Sequence, residues 1–244
     1  MDAVLELSGR AEATHFWFHG FRAFLGPVLA DLAAGRTDLR ILDCGCGNGT
    51  NLALLAPHGS VSGFDLTASG LERARAMGRP LVRADITRIP FASNAFDLAT
   101  SFDVLQSVPD APGAVREMSR IVRPGGHVIL TLAALEILRG DHSEGWQEVH
   151  RYSRRTAKQL VAGSALELRQ LSYLFASLVP ILLPTRLVQR VTRPFRNRLD
   201  IDIAVPAAPI NATLTGMLTM EAALARHVPM PVGSTLLVVA RKRL

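Results

Sequence analysis

Cysteine is scarce in this sequence of 244 residues, where it occurs only twice, at Cys44 and Cys46. Two cysteines separated by one residue cannot form a disulfide framework. A metal site of the usual four-ligand kind would need partners that no second cysteine cluster supplies. We therefore expect two reduced thiols and no bound metal.

The hydropathy and charge pattern of the sequence also predicts no targeting segment and no membrane-spanning segment. The first residues lack a basic segment followed by an apolar segment and a small-residue cleavage site, so we expect no secretory signal and a cytoplasmic location. The apolar run of residues 171–184 is interrupted by proline and is shorter than the about 20 residues that a transmembrane helix needs. It predicts either a buried lid or an interfacial segment.

Internal repeats and low-complexity tracts are absent, and the chain is neither disordered nor fibrous in composition. Hydrophobic residues make up 48% of it, which is enough for a full core. Chains of this length form one large domain, or one domain with a lid. We expect a single domain over residues 1–244.

Acidic residues are few in the second half of the chain, so the net charge of +6 is unevenly placed. Residues 1–120 hold 11 arginines and 13 acids, and residues 121–244 hold 16 basic residues and 8 acids. Such a surplus is typical of contact with an anionic membrane, an acidic substrate or nucleic acid, or of a solvated face. Nucleic acid is the weakest choice, because the basic run has one aromatic residue, Phe195, and no recognisable binding module. The arginines of that run are Arg186, Arg190, Arg193, Arg196 and Arg198.

Short apolar strands alternate with helical segments over the first 131 residues. Strands are predicted at residues 39–43, 61–64, 80–83, 96–101 and 127–131, with helices at 25–34, from 50, at 71–77 and at 112–121. This alternation predicts βαβ units and a parallel, doubly wound sheet, whose ligands bind beyond the carboxyl ends of the strands. Further strands are expected at 166–171 and 234–240. The segment between them is too long for a simple connection and contains a predicted helix at 214–227.

The stretch ILDCGCGNGT joins the first strand to the first helix of this region. Gly45, Gly47 and Gly49 follow Asp43 at alternate positions, and glycines of this kind let backbone N–H groups approach a ligand. A glycine-rich tight turn without a ligand is the plainer interpretation. The dinucleotide fingerprint G-x-G-x-x-G has a different spacing, so the loop points to another cofactor.

The same landmarks resemble the class I S-adenosylmethionine-dependent methyltransferases, whose first motif reads D/E-x-G-x-G-x-G. Asp65 matches the acidic residue that binds both ribose hydroxyls in that family, and Asp85 with Ile86 matches the position that contacts adenine. FDLATSFDVLQSV (96–108) matches the fourth strand and its loop, and RPGG (123–126) matches the turn before the fifth strand. The resemblance implies S-adenosylmethionine as cofactor and S-adenosylhomocysteine as product. It implies a cofactor site formed by Asp43, Gly45, Cys46, Gly47, Asn48, Gly49, Asp65, Leu66, Asp85, Ile86, Ser101, Phe102 and Trp17.

A narrower resemblance, to a bacterial branch of the type 11 methyltransferases, covers nearly the whole chain. It rests on HFWF (15–18), the segment 141–155, LTMEAAL and the closing PVGSTLLVVARK. It implies a mostly parallel, seven-stranded α/β sheet with an N-terminal helical cap (1–38) and a cofactor-binding core (39–135). The acceptor side and lid (136–232, including an insertion at 174–199) and a final strand (233–244) follow. The cap and an H-x-R-Y-like element would lie over the cofactor.

Many relatives carry a Glu-His pair after the fourth strand, where this chain has Gln106 and Ser107. If the methyl acceptor is a hydroxyl or phenol, a general base is useful, and the loss of that pair removes the most obvious imidazole. We predict that His142 or His150 polarises or deprotonates the acceptor and that Tyr152 positions it. Surface or capping roles are the alternative. His15, Phe18, Gln106 and Ser107 are the predicted acceptor contacts.

Two aromatic and apolar segments suggest what lies near the acceptor. Trp17 and Phe18 either pack the N-terminal helix on the core or cap the sulfonium end of the cofactor. The insertion 174–199 combines apolar residues with spaced arginines and predicts contact with anionic lipid, although an ordinary lid or a dimer contact is the alternative. We favour O-methylation of a small, hydrophobic or lipid-like acceptor by a monomer or homodimer.

Two other functions stay open in the sequence. A methyltransferase of RNA or protein is one, although the Asn-Pro-Pro-Tyr-like motif expected after the fourth strand is absent. A cofactor-binding subunit that has lost catalysis is the other, and the missing Glu-His pair is its only support.

Overall fold

The computed structural model describes residues 11–195 and 204–244; Arg196, Arg198 and the end of the predicted insertion lie outside this range. The strands are β1 (Leu39–Cys44), β2 (Gly59–Asp65), β3 (Leu81–Arg83), β4 (Phe96–Phe102), β5 (Val122–Ala133), β6 (Leu166–Leu174) and β7 (Thr235–Lys242). The α-helices are α1 (Phe16–Ala33), α2 (Thr50–Leu55), α3 (Ala68–Ala74), α4 (Ala111–Ile121), α5 (Asp141–Gly145), α6 (Arg154–Ala162), α7 (Val179–Thr192) and α8 (Ala208–Ala225).

The seven strands form one sheet in the order β3-β2-β1-β4-β5-β7-β6. The first five strands are parallel, whereas β7 runs antiparallel to both β5 and β6. The order reverses between β1 and β4, which is the topological switch point of the sheet. The predicted fold, a doubly wound and mostly parallel seven-stranded sheet, is confirmed.

The central strands are buried on both faces. Every residue of β4 is buried, and β1 is buried except at Arg40. Parallel strands covered by helices on both sides read as nearly continuous apolar runs, which is why the sequence identified them. One apolar cluster contains Met118 of α4 and Leu160 of α6, and a second contains Phe24 of α1 and Leu218 of α8.

Helix α1 packs closely against α8. A Cβ atom on Gly20 would lie 2.5 Å from Leu218 Cδ1, so the absence of a side chain permits this approach. The Asn211 side chain fixes the start of α1, because its Oδ1 accepts a hydrogen bond from Phe16 N (2.9 Å) and its Nδ2 donates to Thr14 O (2.8 Å). The N-terminal cap and the C-terminal lid therefore form one packed layer.

Two helices begin earlier than predicted. α1 begins at Phe16 rather than near residue 25, because the His15 ring caps it by accepting a hydrogen bond from Trp17 N (3.1 Å). α8 begins at Ala208 rather than at 214, with proline in its first turn, where a missing N–H carries no cost. Sequence periodicity did not indicate either start.

The RPGG segment lies inside β5 and not in a turn before it. β5 begins at Val122, which pairs with Phe96, and the register shifts before Leu98 pairs with His127. Gly125 absorbs this irregularity with φ of +76°. A bulged strand continues where the sequence predicted a turn, because glycine permits a backbone conformation that other residues rarely adopt.

The proline-interrupted apolar run, residues 171–184, forms the end of β6, the connection that follows it and the start of α7, which contains Pro184. The chain enters this helix through Ala176 and Ser177, whose N–H groups donate to the buried Glu221 carboxylate at 2.7 and 2.9 Å. Over residues 11–195 and 204–244, no helix is long and apolar enough to cross a bilayer.

Candidate active site

The glycine loop between β1 and α2 adopts the conformation that only glycine takes easily. Gly45, Gly47 and Gly49 have φ values of +85°, +50° and +83°. A Cβ atom on Gly45 would lie 2.6 Å from Val104 Cγ2, and one on Gly49 would lie 2.8 Å from the Ala74 side chain. The loop is therefore packed between the β4 loop and α3, with no space for side chains at Gly45 and Gly49.

The amide groups of this loop bind the protein rather than facing outward as expected. Gly45 N and Cys46 N both donate to Phe64 O, at 2.8 and 2.9 Å, and Gly49 N donates to Cys46 O at 2.8 Å. Gly47 N donates to Asp65 Oδ2 at 2.8 Å. The expectation that these N–H groups approach a ligand is therefore wrong for these four amides, because neighbouring protein acceptors already satisfy them.

Asp65, at the carboxyl end of β2, is held in place by three hydrogen bonds. Besides the bond from Gly47, its Oδ1 accepts bonds from Thr67 N (2.8 Å) and Thr67 Oγ1 (2.6 Å). A carboxylate offers about four acceptor positions, so one remains for a ligand hydroxyl. The loop thus fixes the orientation of the residue predicted to bind the ribose.

Asp43 is buried beneath the loop, with 1% of its surface exposed. Its Oδ1 accepts a hydrogen bond from Thr100 Oγ1 at 2.8 Å, and its Oδ2 has no partner among the described residues. Burial and the nearby Asp65 charge raise the pKa of Asp43 to about 7, although the Thr100 bond opposes them. A buried oxygen without a hydrogen-bond partner, such as Asp43 Oδ2, suits a cationic or hydrogen-bond-donating group of a ligand.

The two thiols of the loop are buried and reduced. Burial raises the pKa of both Cys44 and Cys46, and the neighbouring Asp43 charge adds to the effect. Thiols that stay protonated are poor nucleophiles and poor metal ligands. Among the described residues, no group of three or more His, Cys, Asp or Glu side chains could hold a metal ion.

The residues predicted to contact adenine lie beyond β3. Asp85 Oδ1 accepts bonds from Thr87 N and Thr87 Oγ1, both at 2.8 Å, and these bonds lower the pKa of Asp85. Ile86 is buried, whereas Leu66, just after Asp65, has 60% of its surface exposed. These positions follow the carboxyl ends of β2 and β3, as the resemblance implies, and their contact with a cofactor stays a prediction.

The carboxyl end of β4 contains a residue that the sequence analysis did not select. Ser101 and Phe102 are buried, and Phe102 meets Phe21 edge to face at 5.4 Å. Asp103 follows with φ of +54°. Its N–H donates to Thr131 Oγ1 at 2.9 Å and to Thr131 O at 3.2 Å. Non-glycine residues with this φ are uncommon and often lie at functional sites.

The segment 146–150 is bound to the loop after β4. Val149 N and His150 N both donate to Gln106 O, at 2.7 and 3.0 Å. Ser107 Oγ donates to Trp146 O at 2.7 Å. We call residues 146–150 the covering segment. The backbone carbonyl of Gln106 and the hydroxyl of Ser107, at the positions of the Glu-His pair of many relatives, attach this segment to the β4 loop.

The predicted catalytic side chains have different environments. Burial, with Arg186 and Arg151 nearby, lowers the pKa of His142 to about 4. The His150 ring hydrogen bonds through Nε2 to Pro109 O at 3.2 Å.

Tyr152 is buried among apolar residues, and its hydroxyl donates to Leu105 O at 3.2 Å. Burial raises the pKa of Tyr152 to about 12. This bond attaches the ring to the β4 loop, which suits a positioning role. The catalytic roles of His142, His150 and Tyr152 stay predictions.

The described part of the N-terminal segment, from residue 11, contacts the end of the glycine loop. Glu12 accepts a hydrogen bond from the hydroxyl of Thr50, the first residue of α2. Trp17 stacks on Phe175 with ring centroids 4.1 Å apart. His15 caps α1, and its ring lies 6.3 Å from that of Phe18. Packing is thus established for Trp17, while contacts of these residues with cofactor or acceptor stay predictions.

Arg190 in α7 and Arg193 just beyond its end bind residues 137–144, which precede the covering segment. Arg190 Nη2 donates to Ile137 O at 3.3 Å, and Arg193 Nη2 contacts Glu144 Oε2 at 3.0 Å. Arg186 lies against Gly140, where a Cβ atom would be 2.6 Å from its Cδ. The described basic residues of the predicted insertion therefore fasten α7 over the carboxyl edge of the sheet.

Residues 42–130 match the family Methyltransf_11, described as a methyltransferase domain. The chain is 30% identical over 149 residues to the malonyl-[acyl-carrier protein] O-methyltransferase of Erwinia billingiae, covering 60% of this chain and 59% of that protein. It is 36% identical over 90 residues to the demethylmenaquinone methyltransferase of Corynebacterium kroppenstedtii, covering 36% and 39%. The chain spans about half the length of the curated relatives it matches.

Solved structures share the fold. The complex of the Haloferax volcanii Trm112 methyltransferase activator with a methyltransferase has a TM-score of 0.64, with 20% identity over 100% of this chain and 97% of that one. The structure of geranyl diphosphate methyltransferase in complex with S-adenosylmethionine has a TM-score of 0.58, with 16% identity over 91% and 85%. At these identities the similarity concerns the fold alone.

Proposed function

We propose, from the premise that this chain belongs to the class I S-adenosylmethionine-dependent methyltransferases, that it transfers a methyl group to a small, hydrophobic or lipid-like acceptor. The transfer is an in-line displacement, and oxygen is the favoured acceptor atom. The observation that carries the proposal is the Asp65 carboxylate, held by Gly47 and Thr67 beside a loop in which Gly45 and Gly49 leave no room for a side chain. It leaves a fixed acceptor for a ribose hydroxyl at the carboxyl end of β2, the strand next to the switch point of the sheet.

The residues of the loop and the adjoining strands fit S-adenosylmethionine. Asp65 would bind the ribose, and the unpartnered Asp43 Oδ2 would accept a hydrogen bond from the ammonium group. Asp85 and Ile86 would border the adenine. When bound, the cofactor supplies a methyl group on a positively charged sulfur, which is already a good leaving group. The protein mainly has to align the acceptor and exclude water, and good alignment corresponds to effective molarities of about 10⁵–10⁸ M.

The covering segment supplies the means to exclude water. Residues 146–150 lie on the β4 loop, and α7 fastens the preceding residues through Arg190 and Arg193. The name of one relative, a demethylmenaquinone methyltransferase, supports an acceptor with an apolar part, and the name of the other, a malonyl-[acyl-carrier protein] O-methyltransferase, supports oxygen as the acceptor atom only. We therefore favour a hydrophobic acceptor that enters beside α7.

The proposal is tested by following a labelled methyl group. The protein is incubated with [methyl-³H]S-adenosylmethionine and a fractionated bacterial extract, and label is counted in the organic phase, aqueous small molecules, protein and RNA. We expect label in the organic phase. The Gly47→Val variant serves as the negative control and should transfer no label. Label in protein or RNA would instead support a macromolecular acceptor. Tight cofactor binding without any labelled product would favour a catalytically silent subunit.

We also propose that α7 brings the protein, from the cytoplasm, to an anionic membrane surface. Its outer face exposes Val188 (61%) and Val191 (73%), and Phe195 beyond its end is 88% exposed. These residues share one side of the helix at spacings of three and four. The second half of the chain carries the basic surplus, and cationic proteins are attracted to anionic lipid. Because Arg190 and Arg193 already bind protein groups, apolar insertion should provide most of the affinity.

Flotation with vesicles of phosphatidylcholine and phosphatidylserine tests this contact. The protein should float with these vesicles, and Val188→Asp with Val191→Asp should abolish flotation. Val82→Asp, on the edge strand β3 at the opposite end of the sheet, is the matched control and should float normally. Recovery of the wild-type protein only in the soluble fraction would contradict the proposal.

A further inference from the structure

Buried side-chain atoms without hydrogen-bond partners gather near Asp103. In the described part of the chain they include Gln106 Oε1, Glu148 Oε2 and Arg151 Nε. Arg151 Nε and Glu148 Oε2 lie 3.6 Å apart, which is longer than a hydrogen bond, although the two side chains are only 9% and 4% exposed. Buried polar groups are normally satisfied, so such a group of exceptions is typical of a ligand site.

Asp103 occupies the centre of this group. The Thr131 hydroxyl, the Gln106 amide, Glu148 and Arg151 all act on its carboxylate. The next residue, Val104, packs on Gly45 of the glycine loop. Asp103 is only partly buried. It therefore lies between the predicted cofactor loop and the covering segment.

We propose that Asp103 is the catalytic base that takes the proton from an acceptor hydroxyl, and that this site accepts alcohols, phenols or enols rather than carboxylates. The inference rests on the proposed function and deepens it. The backbone supports it, because Asp103 holds a left-handed φ through two bonds to Thr131. Such a conformation persists only where the surrounding structure enforces it.

The charges around Asp103 also favour a neutral acceptor. Glu148 and Arg151 are the charged groups that act on it, and the three together carry one net negative charge when ionised. That charge favours a sulfonium ion and repels a carboxylate acceptor. Burial raises the pKa of Asp103 to about 6, with Glu148 adding to the rise and the hydrogen bonds and Arg151 opposing it. The carboxylate is thus ionised at neutral pH and close to the optimum for a general base.

The predicted bases are less suited to this step. A pKa of about 4 makes His142 a weak base, and the Tyr152 hydroxyl donates to Leu105 O. The His150 ring is bound to Pro109 O. Asp103 combines a carboxylate that is ionised at neutral pH with a place beside the glycine loop.

The Asp103 carboxylate forms a bond to the acceptor proton while the acceptor oxygen directs an electron pair at the methyl carbon. The new bond is O–CH₃, and the bond that breaks is the one from that carbon to sulfur, whose electrons stay on sulfur. The products are a methyl ether and the neutral thioether S-adenosylhomocysteine. Asp103 then releases its proton to solvent.

The first test needs no acceptor. The dissociation constants of S-adenosylmethionine and S-adenosylhomocysteine are measured by calorimetry between pH 5 and 8. The two ligands differ only in the methyl group and the charge at sulfur, and Asp43 titrates in the same pH range, so the part of the dependence that Asp103→Asn removes is the part assigned to Asp103. Ionised Asp103 should favour the charged ligand, raising the affinity ratio about tenfold as the pH rises through 6. Asp103→Asn should flatten this dependence, and Asp38→Asn, at an exposed position, should retain it.

The outcomes distinguish failure of the proposed function from failure of the role assigned to Asp103. A pH-independent ratio in the wild-type protein, or an unchanged dependence in Asp103→Asn, overturns the inference alone. Failure of both ligands to bind rejects the proposed function and the inference with it. Asp103→Glu keeps the carboxylate and should keep the dependence if Asp103→Asn does not fold.

The second test concerns the product and the rate. Label transferred to the organic extract should resist mild alkali, which releases methanol from methyl esters, and should be released by hot hydriodic acid, which cleaves methyl ethers. Asp103→Asn should lower this transfer by about 10²–10⁴-fold and remove the acid limb of the pH profile near 6. An alkali-labile product, or an Asp103→Asn variant with wild-type rate, would overturn the inference.

Discussion

Replacement of Gly47 by valine should weaken the binding of S-adenosylmethionine by at least about 100-fold, equivalent to about 2.7 kcal/mol. Gly47 has φ of +50°, and a side chain in the left-handed region costs roughly 1–2 kcal/mol. Its N–H also orients Asp65 (2.8 Å). A Cβ atom on Gly70 would lie 3.1 Å from Gly47 O, so α3 leaves the loop little freedom to move. Valine thus both enters the ligand's place and misaligns the residue for the ribose.

The matched control changes the two cysteines of the same loop. Cys44 and Cys46 are buried, and burial keeps both thiols protonated. The double alanine variant should therefore bind the cofactor within about threefold of the wild-type protein, because side chains at these positions pack inward. Alanine is preferred to serine, since a hydroxyl would need a partner in an apolar setting. Loss of binding in this variant, or retention in Gly47→Val, would contradict the assignment.

The protein without cofactor should lose stability as the pH rises from 4 to 8, because Asp43 is buried. The pKa of Asp43 is about 7 in the folded protein and 3.8 by reference, with burial as the main cause. Because the pKa is raised on folding, the contribution of Asp43 to the free energy of unfolding is fully present below pH 3.8 and is lost as the pH rises through about 7. At 1.36 kcal/mol per pKa unit the loss is about 4 kcal/mol.

Urea unfolding of the wild-type protein and of Asp43→Asn at pH 4, 5, 6, 7 and 8 measures this loss. Asparagine does not titrate, so the wild-type free energy of unfolding should fall more steeply, and the two curves should separate by about 4 kcal/mol over the range. Asp103 also has a raised pKa, but it is present in both proteins and cancels in the comparison. Parallel curves would contradict the buried, partly unsatisfied state of Asp43.

The strands and the glycine loop were predictable because their signals are local. Buried parallel strands such as β1 and β4 are apolar on both faces, and the loop's glycines follow directly after Asp43. The positions of Asp65 and Asp85 followed from the strand order, since both lie where a parallel strand ends. In these cases a few neighbouring residues determine the conformation.

The acceptor side depends on contacts that the sequence does not display. Asp103 becomes a candidate base only in the folded structure, because residues 146–151 bring Glu148 and Arg151 near it. The partners of the loop amides could not be assigned either, because the acceptors of Gly45, Cys46 and Gly47 belong to the neighbouring strand β2. The one local signal for Asp103 was its place just after β4, within SFDVLQ.

Equilibrium dialysis with labelled S-adenosylmethionine tests the central claim most directly. The account predicts one cofactor bound per chain, displaced by S-adenosylhomocysteine, with binding kept in the double cysteine-to-alanine variant and lost in Gly47→Val. Absence of binding to the folded wild-type protein would contradict it.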